Sequence, residues 1–408
     1  MASRTKIIAI IGAGPAGLIA AQKLSKIENL QIHVFDQKPS VARKFLIAGR
    51  GGLNLTHSEP LPKFTEKYEE NAARFAQFLA RFSPDDMINW ATSLGVSLFK
   101  GSSGRMFPDG LKATPLLRAW LKELEGAQVQ FHLKHRWLKT EADQKLLFST
   151  PDTPSFEFEA DAILYAMGGA SYPHLGATGS WIDPLKSEGL DIDPLVASNC
   201  GFQVNWSDHF IGRFEGTPLK NIRLTHNNRS SAGDLVVTKN GLEGGALYAL
   251  SKGLREELQQ GSTRDISLDL KPGSEEQALV SSLSTPRGKM SLSNFLRKKL
   301  NLAPIQIALL HEFKNNTDIQ NTDKLAALIK NLPVELIGIN GIERAISSAG
   351  GVKFSNLDDQ LMIRKQPGQF VAGEMLDWEA PTGGYLLQGC FATGVVAADG
   401  IATYLNAA

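Results

Sequence analysis

The first part of the chain has apolar runs separated by a turn and a helix opening, an order typical of strand–helix–strand units. Residues 6–11 form a near-continuous apolar run, as expected for a parallel strand buried on both faces, and a glycine-rich turn follows it. A good helix opening comes next at residues 16–21, and a second apolar run over 32–35 ends at Asp36. Residues 4–36 are therefore predicted to form a βαβ unit, which indicates the α/β class.

Similar elements recur later in the chain. Further buried strands are predicted at residues 162–166 and 370–372, and the last apolar stretch predicts a helix over about 388–405. The segment from Val41 to His57 is too rich in glycine to form a regular helix or strand throughout. Between these elements, helices are predicted over about residues 69–81, 84–94 and 113–124, and a series of short strands is predicted over 128–159.

The pattern changes after residue 199. Residues 202–272 are predicted to form strands with one helix, and residues 275–330 are mostly helical. Strand-like residues return at 333–339, before the glycines of 349–352. The middle of the chain is therefore predicted to be inserted into a discontinuous domain. The predicted boundaries are 1–198 plus 349–408 for the discontinuous domain, 199–272 plus 331–348 for a β-rich inserted domain, and 273–330 for a helical insert.

The glycine-rich turn after the first strand has the chemistry of a dinucleotide-binding turn. Gly12 permits the tight turn, Gly14 lets backbone amides approach a pyrophosphate, and Gly17 lets the helix pack on the strand. Asp36 is spaced to accept a hydrogen bond from a ribose hydroxyl, so a free 2′-OH is expected. An unrelated glycine-rich turn is the alternative, but strand, helix and acid together favour the dinucleotide. The motif alone does not separate NAD from FAD.

The glycines near the C-terminus predict the other half of the same site. Glu374 follows a short strand, at a place where its carboxylate can accept from the ribityl hydroxyls of FAD. The turn over 382–385 then leads into the last helix, whose positive end would face the flavin N1/C2=O locus, where negative charge gathers on reduction. We therefore expect the two ends of the chain to bind FAD together. The alternative is a turn that only packs the last helix onto the sheet.

Length and charge limit the possible functions. A chain of 408 residues is longer than a single ordinary core accommodates. Its 43 basic and 42 acidic residues nearly balance, so no overall electrostatic field would attract nucleic acid or an anionic membrane. The two cysteines lie far apart, so neither a metal site nor a dithiol pair is predicted. The chain enters its first strand at once, which leaves no room for a signal peptide, and no apolar run is predicted to reach the length of a membrane span. A cytoplasmic protein is expected.

Several glycine-containing segments of this chain occur together in one bacterial family. They are Gly12–Gly17, Arg43–Gly49, Gly104–Pro108, Gly168–Pro173 with Gly176–Gly179, Ala349–Val352 and Gly373–Gly389. On these segments the chain resembles the YhiN/BaiN-like FAD flavoproteins, also labelled aminoacetone-oxidase-like proteins or "NAD(FAD)-utilising dehydrogenases". The resemblance covers essentially the whole length and is closest to an uncharacterised subgroup.

The resemblance implies a fold, a cofactor and a range of reactions. The fold would be a discontinuous Rossmann-like FAD-binding domain with a β-barrel-like insertion and a small helical insert. Family members have been linked to oxidation of small amines, to reduction of an enone-type C=C in steroid-like substrates, and to dihydrouridine formation in ribosomal RNA. The motif and the resemblance together predict the cofactor-binding residues Gly12, Gly14, Pro15, Ala16, Gly17, Asp36, Gln37, Lys44, Gly49, Gly52, Asn54, Gly168, Gly373, Glu374, Gly384, Tyr385, Leu386 and Leu387.

The chain departs from the family in the segment from Gly49 to His57. The usual segment has Arg-Cys-Asn where this chain has Gly52-Leu53-Asn54. Leu53 cannot serve as a thiol acid or nucleophile, so a mechanism that needs that cysteine as proton donor is in doubt.

Flavin chemistry needs at most one proton donor from the protein. The catalytic candidates are Asn54, His57 and Tyr172. His57 either acts as an acid/base or fixes its own turn, and Tyr172 either donates to a substrate carbonyl or anchors its turn. Arg105 either binds a substrate carboxylate or phosphate or forms a surface ion pair.

The electron donor is left open by the motifs. No second G-x-G-x-x-G follows a strand, so a separate NAD(P)H-binding domain is unsupported. We predict an FAD-dependent oxidoreductase that transfers hydride between flavin N5 and an unidentified substrate, as a reductase using transiently bound NAD(P)H. The alternatives are an oxidase of small amines, a flavin-dependent ribosomal RNA uridine reductase, and a non-catalytic FAD-binding regulator. A small-molecule substrate is the expected partner; net charge does not indicate RNA, and no membrane partner is expected.

Overall fold

The computed structural model describes residues 4–49, 51–261, 263–315 and 317–407. Arg50 of the motif at 49–57 and the residues that precede Arg4 lie outside the described residues. The chain divides into two compact units. The first contains the residues up to Val196 and those from Ser347 onward, and the second contains Ala197–Ile346.

The first unit holds the elements around the predicted dinucleotide turn. Its strands are β1 (Lys6–Ile11), β2 (Leu30–Asp36), β3 (Thr56–His57), β4 (Leu98–Lys100), β5 (Arg105–Pro108), β6 (Gln130–Leu133), β7 (Arg136–Thr140), β8 (Lys145–Ser149), β9 (Phe156–Glu159), β10 (Ala162–Tyr165) and β11 (Ile192–Ser198), whose last two residues begin the second unit. Its helices are α1 (Pro15–Leu24), α2 (Arg43–Ala48), α3 (Leu61–Thr65), α4 (Ala72–Arg81), α5 (Pro84–Ser93), α6 (Ala113–Gly126) and α7 (Ile182–Ser187).

The second unit combines an antiparallel sheet with helices. Its strands are β12 (Phe202–Gln203), β13 (Pro218–His226), β14 (Arg229–Thr238), β15 (Gly241–Glu243), β16 (Arg264–Asp269), β17 (Leu332–Leu336) and β18 (Gly338–Ile339). Its helices are α8 (Asp208–Phe214), α9 (Gly245–Tyr248), α10 (Ser251–Gln259), α11 (Glu276–Leu283), α12 (Leu292–Leu300), α13 (Pro304–Glu312) and α14 (Thr322–Lys330). The sheet has the order β17-β16-β13-β14-β15-β12-β18, and α11 to α14 share one apolar core with it.

The chain then returns to the first unit with β19 (Ser347–Val352), β20 (Gln369–Val371) and α15 (Tyr385–Ala407). Five parallel strands form its main sheet, in the order β20-β10-β1-β2-β6. The central strand β1 is buried from Ile8 to Ile11. Helix α1 packs on this sheet, and the antiparallel sheet β7-β8-β9 also packs on it, through Phe148 and Phe158 against Phe35 of β2. The α/β class predicted from the apolar runs is confirmed, and the two ends of the chain meet in one sheet.

Helix α15 corrects one expectation about the membrane. By length and composition it is apolar enough to cross a membrane, so the prediction that no apolar run is this long is wrong. About 67% of its most apolar window is buried inside the protein, as in the core helix of a soluble protein. Its small residues permit this packing: a Cβ at Gly394 would lie 2.4 Å from the carbonyl oxygen of Ala16 in α1.

Candidate active site

A cleft opens at the carboxyl ends of β1, β2, β10 and β20, which is the edge where parallel α/β sheets bind ligands. The space in the cleft and at its mouth, open solvent included, is about 920 Å³. More than half of the residues predicted to bind FAD line it: Gly12, Gly14, Pro15, Ala16, Asp36, Gln37, Lys44, Gly168, Gly373 and Glu374.

The glycines of the turn between β1 and α1 have separate structural roles. Gly12 has a φ of +111°, and a Cβ there would lie 2.2 Å from the carbonyl oxygen of Ala166. A Cβ at Gly17 would lie 2.1 Å from the carbonyl oxygen of Gly12, which is the close packing expected of the third glycine. A Cβ at Gly14 would meet no atom within 4 Å, so this position faces open space that a phosphate can approach.

Asp36 is fixed at the end of β2. Its carboxylate accepts from the backbone N–H of Ala13 at 3.1 Å and from that of Lys38 at 2.8 Å. Burial raises the pKa of Asp36, and these two amides oppose the rise. A carboxylate has about four acceptor positions, so two amide bonds leave capacity for a ribose hydroxyl.

Lys44 and Glu374 form an ion pair in the wall of the cleft. The Lys44 Nζ lies 2.8 Å from Oε2 of Glu374 and 2.5 Å from Oγ of the buried Ser171. Oε1 of Glu374 also accepts from the backbone N–H of Ser348 at 2.9 Å. This network joins α2, the segment after β10, β19 and the segment after β20, and it fixes the carboxylate predicted to meet the ribityl chain.

The first turn of α15 packs against the segment that contains Asn54 and His57. Gly384 has a φ of +99°, and a Cβ there would lie 2.5 Å from Cα of Thr56. The Thr56 hydroxyl donates to Oε1 of Gln388 at 2.8 Å. The segment over 54–57 is therefore held at the helix N-terminus predicted to face the flavin.

Tyr385, the first residue of α15, is also tied to this segment. Its hydroxyl donates to Oε1 of Glu59 at 2.5 Å, and its ring stacks on that of His57 with centroids 5.5 Å apart. Burial and the hydrogen bond to Glu59 raise the pKa of Tyr385 far above its ordinary value, so the phenol stays protonated.

The site has a buried polar atom without a partner, open space and carboxylates that FAD would fit. Oδ1 of Asn54 is buried and has no hydrogen-bond partner, which costs about 1–3 kcal/mol unless a ligand donates to it. The open space at Gly14 suits a pyrophosphate, and the carboxylates of Asp36 and Glu374 suit the hydroxyls of the ribose and the ribityl chain.

Two of the catalytic candidates differ in their free hydrogen-bonding groups. Nδ1 of His57 accepts from the N–H of Glu59 at 3.1 Å, so its Nε2 donates to the carbonyl of Ser103 at 2.8 Å. Both nitrogens are thus used to fix the turn, as the alternative for His57 supposed. Tyr172 is half-buried with a φ of +56°, and among the described residues its hydroxyl has no hydrogen-bond partner. Tyr172 is therefore the freer donor.

The residue at the family's cysteine position does not face the cleft. Leu53 is 1% exposed and belongs to the apolar core of the first unit. Leu53 therefore packs in the core and is absent from the cleft lining.

The remaining predicted residues lie outside the cleft lining, and their contacts with FAD stay predictions. A Cβ at Gly49 would lie 2.7 Å from Cβ of Ala113, and Gly52 has a φ of +108°. Leu386 and Leu387 are half-buried in the first turn of α15.

Sequence reasoning also missed part of the lining. The missed residues are Ile11, Ala13, Phe35, Ala42, Arg43, Phe45, His135, Arg136, Trp137, Ala166, Met167, Leu175, Gly176, Ala177, Ser180 and Cys390. Gly176 and Ala177 lay within a family segment. Residues 135–137, at the start of the short antiparallel strand β7, carry no motif. Cys390 lies in α15, where burial and the nearby Glu374 charge raise its pKa to about 12, so the thiol stays protonated.

Comparisons with known proteins agree with this geometry. The family model of the HI0933-like protein Rossmann domain matches residues 6–400. The chain is 25% identical over 406 residues to the 3-dehydro-bile acid delta(4,6)-reductase of Clostridium scindens, covering 96% of this chain and 97% of that protein. It is also 25% identical over 391 residues to the ribosomal RNA dihydrouridine synthase of Haemophilus influenzae, covering 93% and 94%.

A solved structure shows the same fold. The 3-ketosteroid delta1-dehydrogenase of Sterolibacterium denitrificans superposes with a TM-score of 0.55 at 10% identity, covering 98% of this chain and 100% of that one. The family match spans nearly the whole chain, and the cleft has the groups that FAD needs. The chain therefore belongs to the HI0933-like family, and the protein is an FAD-dependent oxidoreductase of Rossmann-like fold.

Proposed function

We propose that the protein is a reductase that takes electrons from transiently bound NAD(P)H and transfers hydride to an unidentified substrate. The observation that carries the proposal is that the sequence contains one dinucleotide turn, Gly12–Gly17, whose cleft fits FAD. A nicotinamide cofactor would therefore bind only for the time needed to reduce the flavin. The relative from Clostridium scindens, aligned over 97% of its length, is named a reductase, which supports the same direction.

The protein's own groups would bind FAD, orient it and donate a proton or hydrogen bond to the substrate. When bound, FAD supplies hydride transfer at flavin N5. Asp36 and Glu374 would accept hydrogen bonds from hydroxyls of FAD, and Lys44 holds Glu374 in position. The N-terminus of α15 would supply positive potential for the negative charge that gathers on the flavin when it is reduced. The free hydroxyl of Tyr172 is the proposed hydrogen-bond or proton donor to the substrate.

Anaerobic mixing of the FAD-loaded protein with NADH and with NADPH tests this proposal. We expect at least one of them to bleach the flavin absorbance, and addition of a substrate or artificial acceptor to restore it. If the flavin is bound but neither nicotinamide bleaches it, the reductase proposal fails. Bleaching by aminoacetone under the same conditions would then support the small-amine oxidase.

A second candidate is a flavin-dependent ribosomal RNA uridine reductase. One observation favours it: residues 271–330 carry nine basic and five acidic residues, although the whole chain has a net charge of +1. Arg297, Lys298 and Lys299 are exposed at the end of α12, where they could contact phosphates. Mass spectrometry of ribosomal RNA from deletion and wild-type cells tests it. Loss of a dihydrouridine in the deletion strain would support this candidate, and identical RNA would exclude it.

We also propose that the protein acts in the cytoplasm. Its two cysteines are free, and its long apolar helix is mostly buried in the protein. Fractionation of cells should recover the protein with soluble markers, and recovery in the membrane fraction would contradict the proposal.

A further inference from the structure

The small sheet β3-β5-β4 carries a basic side chain and aromatic rings on one face. Its register places His57 opposite Arg105, and Phe99 opposite Phe107. Residues directly opposed in an antiparallel pair lie on the same face, as do alternate residues of one strand. These four side chains therefore share a surface, which we call the Arg105 face.

Arg105 on this face has no ion-pair partner in the part of the chain that the structure describes. It is half-buried, yet among the described residues none of its five N–H donors bonds an acceptor and no carboxylate pairs with it. Lys44, Lys330 and Lys353 are also half-buried, and each lies within 3.2 Å of a carboxylate oxygen. Arg43 in the cleft lining resembles Arg105 in this respect, since its only side-chain hydrogen bond among the described residues is to Oγ of Ser40. The alternative that Arg105 forms a surface ion pair therefore has no partner to support it.

The part of this face formed by Phe99, Phe107 and Leu111 is apolar and open. Phe99 is 41% and Leu111 is 42% exposed, which is high for large hydrophobic side chains. Phe107 stacks on Phe99 with ring centroids 5.7 Å apart, and Phe107 and Leu111 both lie over Gly52. The guanidinium is thus bordered by an apolar surface that reaches the segment 52–54, where this chain departs from its family.

The Arg105 face also lies beside the start of α15. The His57 ring stacks on Tyr385, and the backbone of Thr56 packs against Gly384. Burial and the hydrogen bond to Glu59 raise the pKa of Tyr385, and the charge of Arg105 opposes that rise. The guanidinium is therefore close enough to the start of α15 to influence its first residue electrostatically. This is the end of the site where the flavin ring is expected.

We propose that the Arg105 face anchors the substrate and that Arg105 binds an oxyanion, a carboxylate or phosphate, attached to an apolar body. A guanidinium matches such a group through two parallel hydrogen bonds, and the aromatic surface would cover the apolar body. A cationic amine would be repelled. The inference rests on the proposed function, since it takes the start of α15 as the flavin end.

Titration of the FAD-loaded protein with benzoate tests the inference through the flavin absorbance spectrum. Benzoate should cause a saturable change, whereas the neutral isostere benzamide should not. Arg105→Met should weaken benzoate binding at least tenfold, and Arg105→Lys should weaken it less. Arg118→Met, which removes an exposed arginine of α6, should leave it unchanged. Competition by inorganic phosphate would show that the site takes either oxyanion, and its absence would assign a carboxylate.

Two results would overturn the inference: equal benzoate affinity in Arg105→Met and the wild type, or no benzoate binding by the wild type. Saturation-transfer NMR on benzoate repeats the comparison without relying on the flavin, in case a variant loads FAD poorly. The assay uses no nicotinamide, so it can succeed when NAD(P)H fails to reduce the flavin. The failure of this inference and the failure of the reductase proposal are therefore distinguishable.

Discussion

At the scale of single residues, the Lys44–Glu374 pair shows how a buried charge is managed in the cleft. The carboxylate of Glu374 is 13% exposed and is bonded by Lys44 and by the N–H of Ser348. Lys44→Met should remove the positively charged partner of that carboxylate. We expect a loss of about 1–3 kcal/mol in the free energy of unfolding of the FAD-free protein, measured with urea.

The matched control is Glu374→Gln together with the double variant. If the loss comes from the unpaired carboxylate, Lys44→Met combined with Glu374→Gln should be more stable than Lys44→Met alone. Additive losses in the double variant would show that the two side chains do not act as a pair.

The same residues show why part of the site could not be predicted. The spacing from the glycine turn to Asp36 is local, so the sequence alone places the carboxylate at the end of β2. Lys44 meets Ser171 and Glu374 across separations of 127 and 330 residues, and no sequence period encodes such contacts. The free Oδ1 of Asn54 and the burial of Leu53 likewise depend on packing by distant elements.

At the scale of elements, a histidine pair joins the neighbouring strands β2 and β6. Nδ1 of His33 lies 2.9 Å from Nε2 of His132, and the His132 ring stacks on Phe35. Burial lowers the pKa of both, and that of His132 falls to about 4. Because the folded pKa lies below the unfolded value, the folded state loses stability as the pH falls from about 6.5 towards 4.

His132→Phe should keep the ring stacking and remove the part of this pH dependence that comes from His132, the larger of the two shifts. Between pH 7 and pH 4.5, the wild type should lose about 1–2 kcal/mol more unfolding free energy than the variant. Asp377 titrates in the same window with the opposite sign, because burial and Asp193 raise its pKa to about 6. The difference between the two proteins in urea unfolding is therefore the quantity to measure. Parallel pH curves would contradict the account.

The start of α15 depends on the absence of a side chain at Gly384. A Cβ there would lie 2.5 Å from the backbone of Thr56, and the φ of +99° disfavours other residues. Gly384→Ala should destabilise the protein by more than about 2 kcal/mol and lower its FAD affinity, since β3 and α15 must move apart. Thermal unfolding and fluorescence titration with FAD measure the two effects.

Gly126→Ala is the matched control for this change. Gly126 ends α6, and a Cβ there would meet no atom within 4 Å. This variant should change stability by less than about 1 kcal/mol and leave FAD binding intact. Equal effects of the two substitutions would show that the close approach to Thr56 is unimportant.

At the scale of the whole molecule, the two ends of the chain were predictable as halves of one site because each carries its own local signal. The apolar runs that became β1 and β20 mark buried strands, and both join the same parallel sheet. The arrangement of the second unit was less predictable. Its strands pair in an order that the sequence does not reveal, and α11 to α14 share a core with the sheet.

The central claim is that one resident FAD is reduced by a nicotinamide that binds only transiently. Rapid anaerobic mixing of the FAD-loaded protein with increasing NADH or NADPH, followed by flavin absorbance, tests it most directly. The rate of bleaching should rise with nicotinamide concentration and saturate, and no nicotinamide should remain with the protein after desalting. A flavin that neither nicotinamide bleaches, or a nicotinamide retained at one per chain, would contradict the claim.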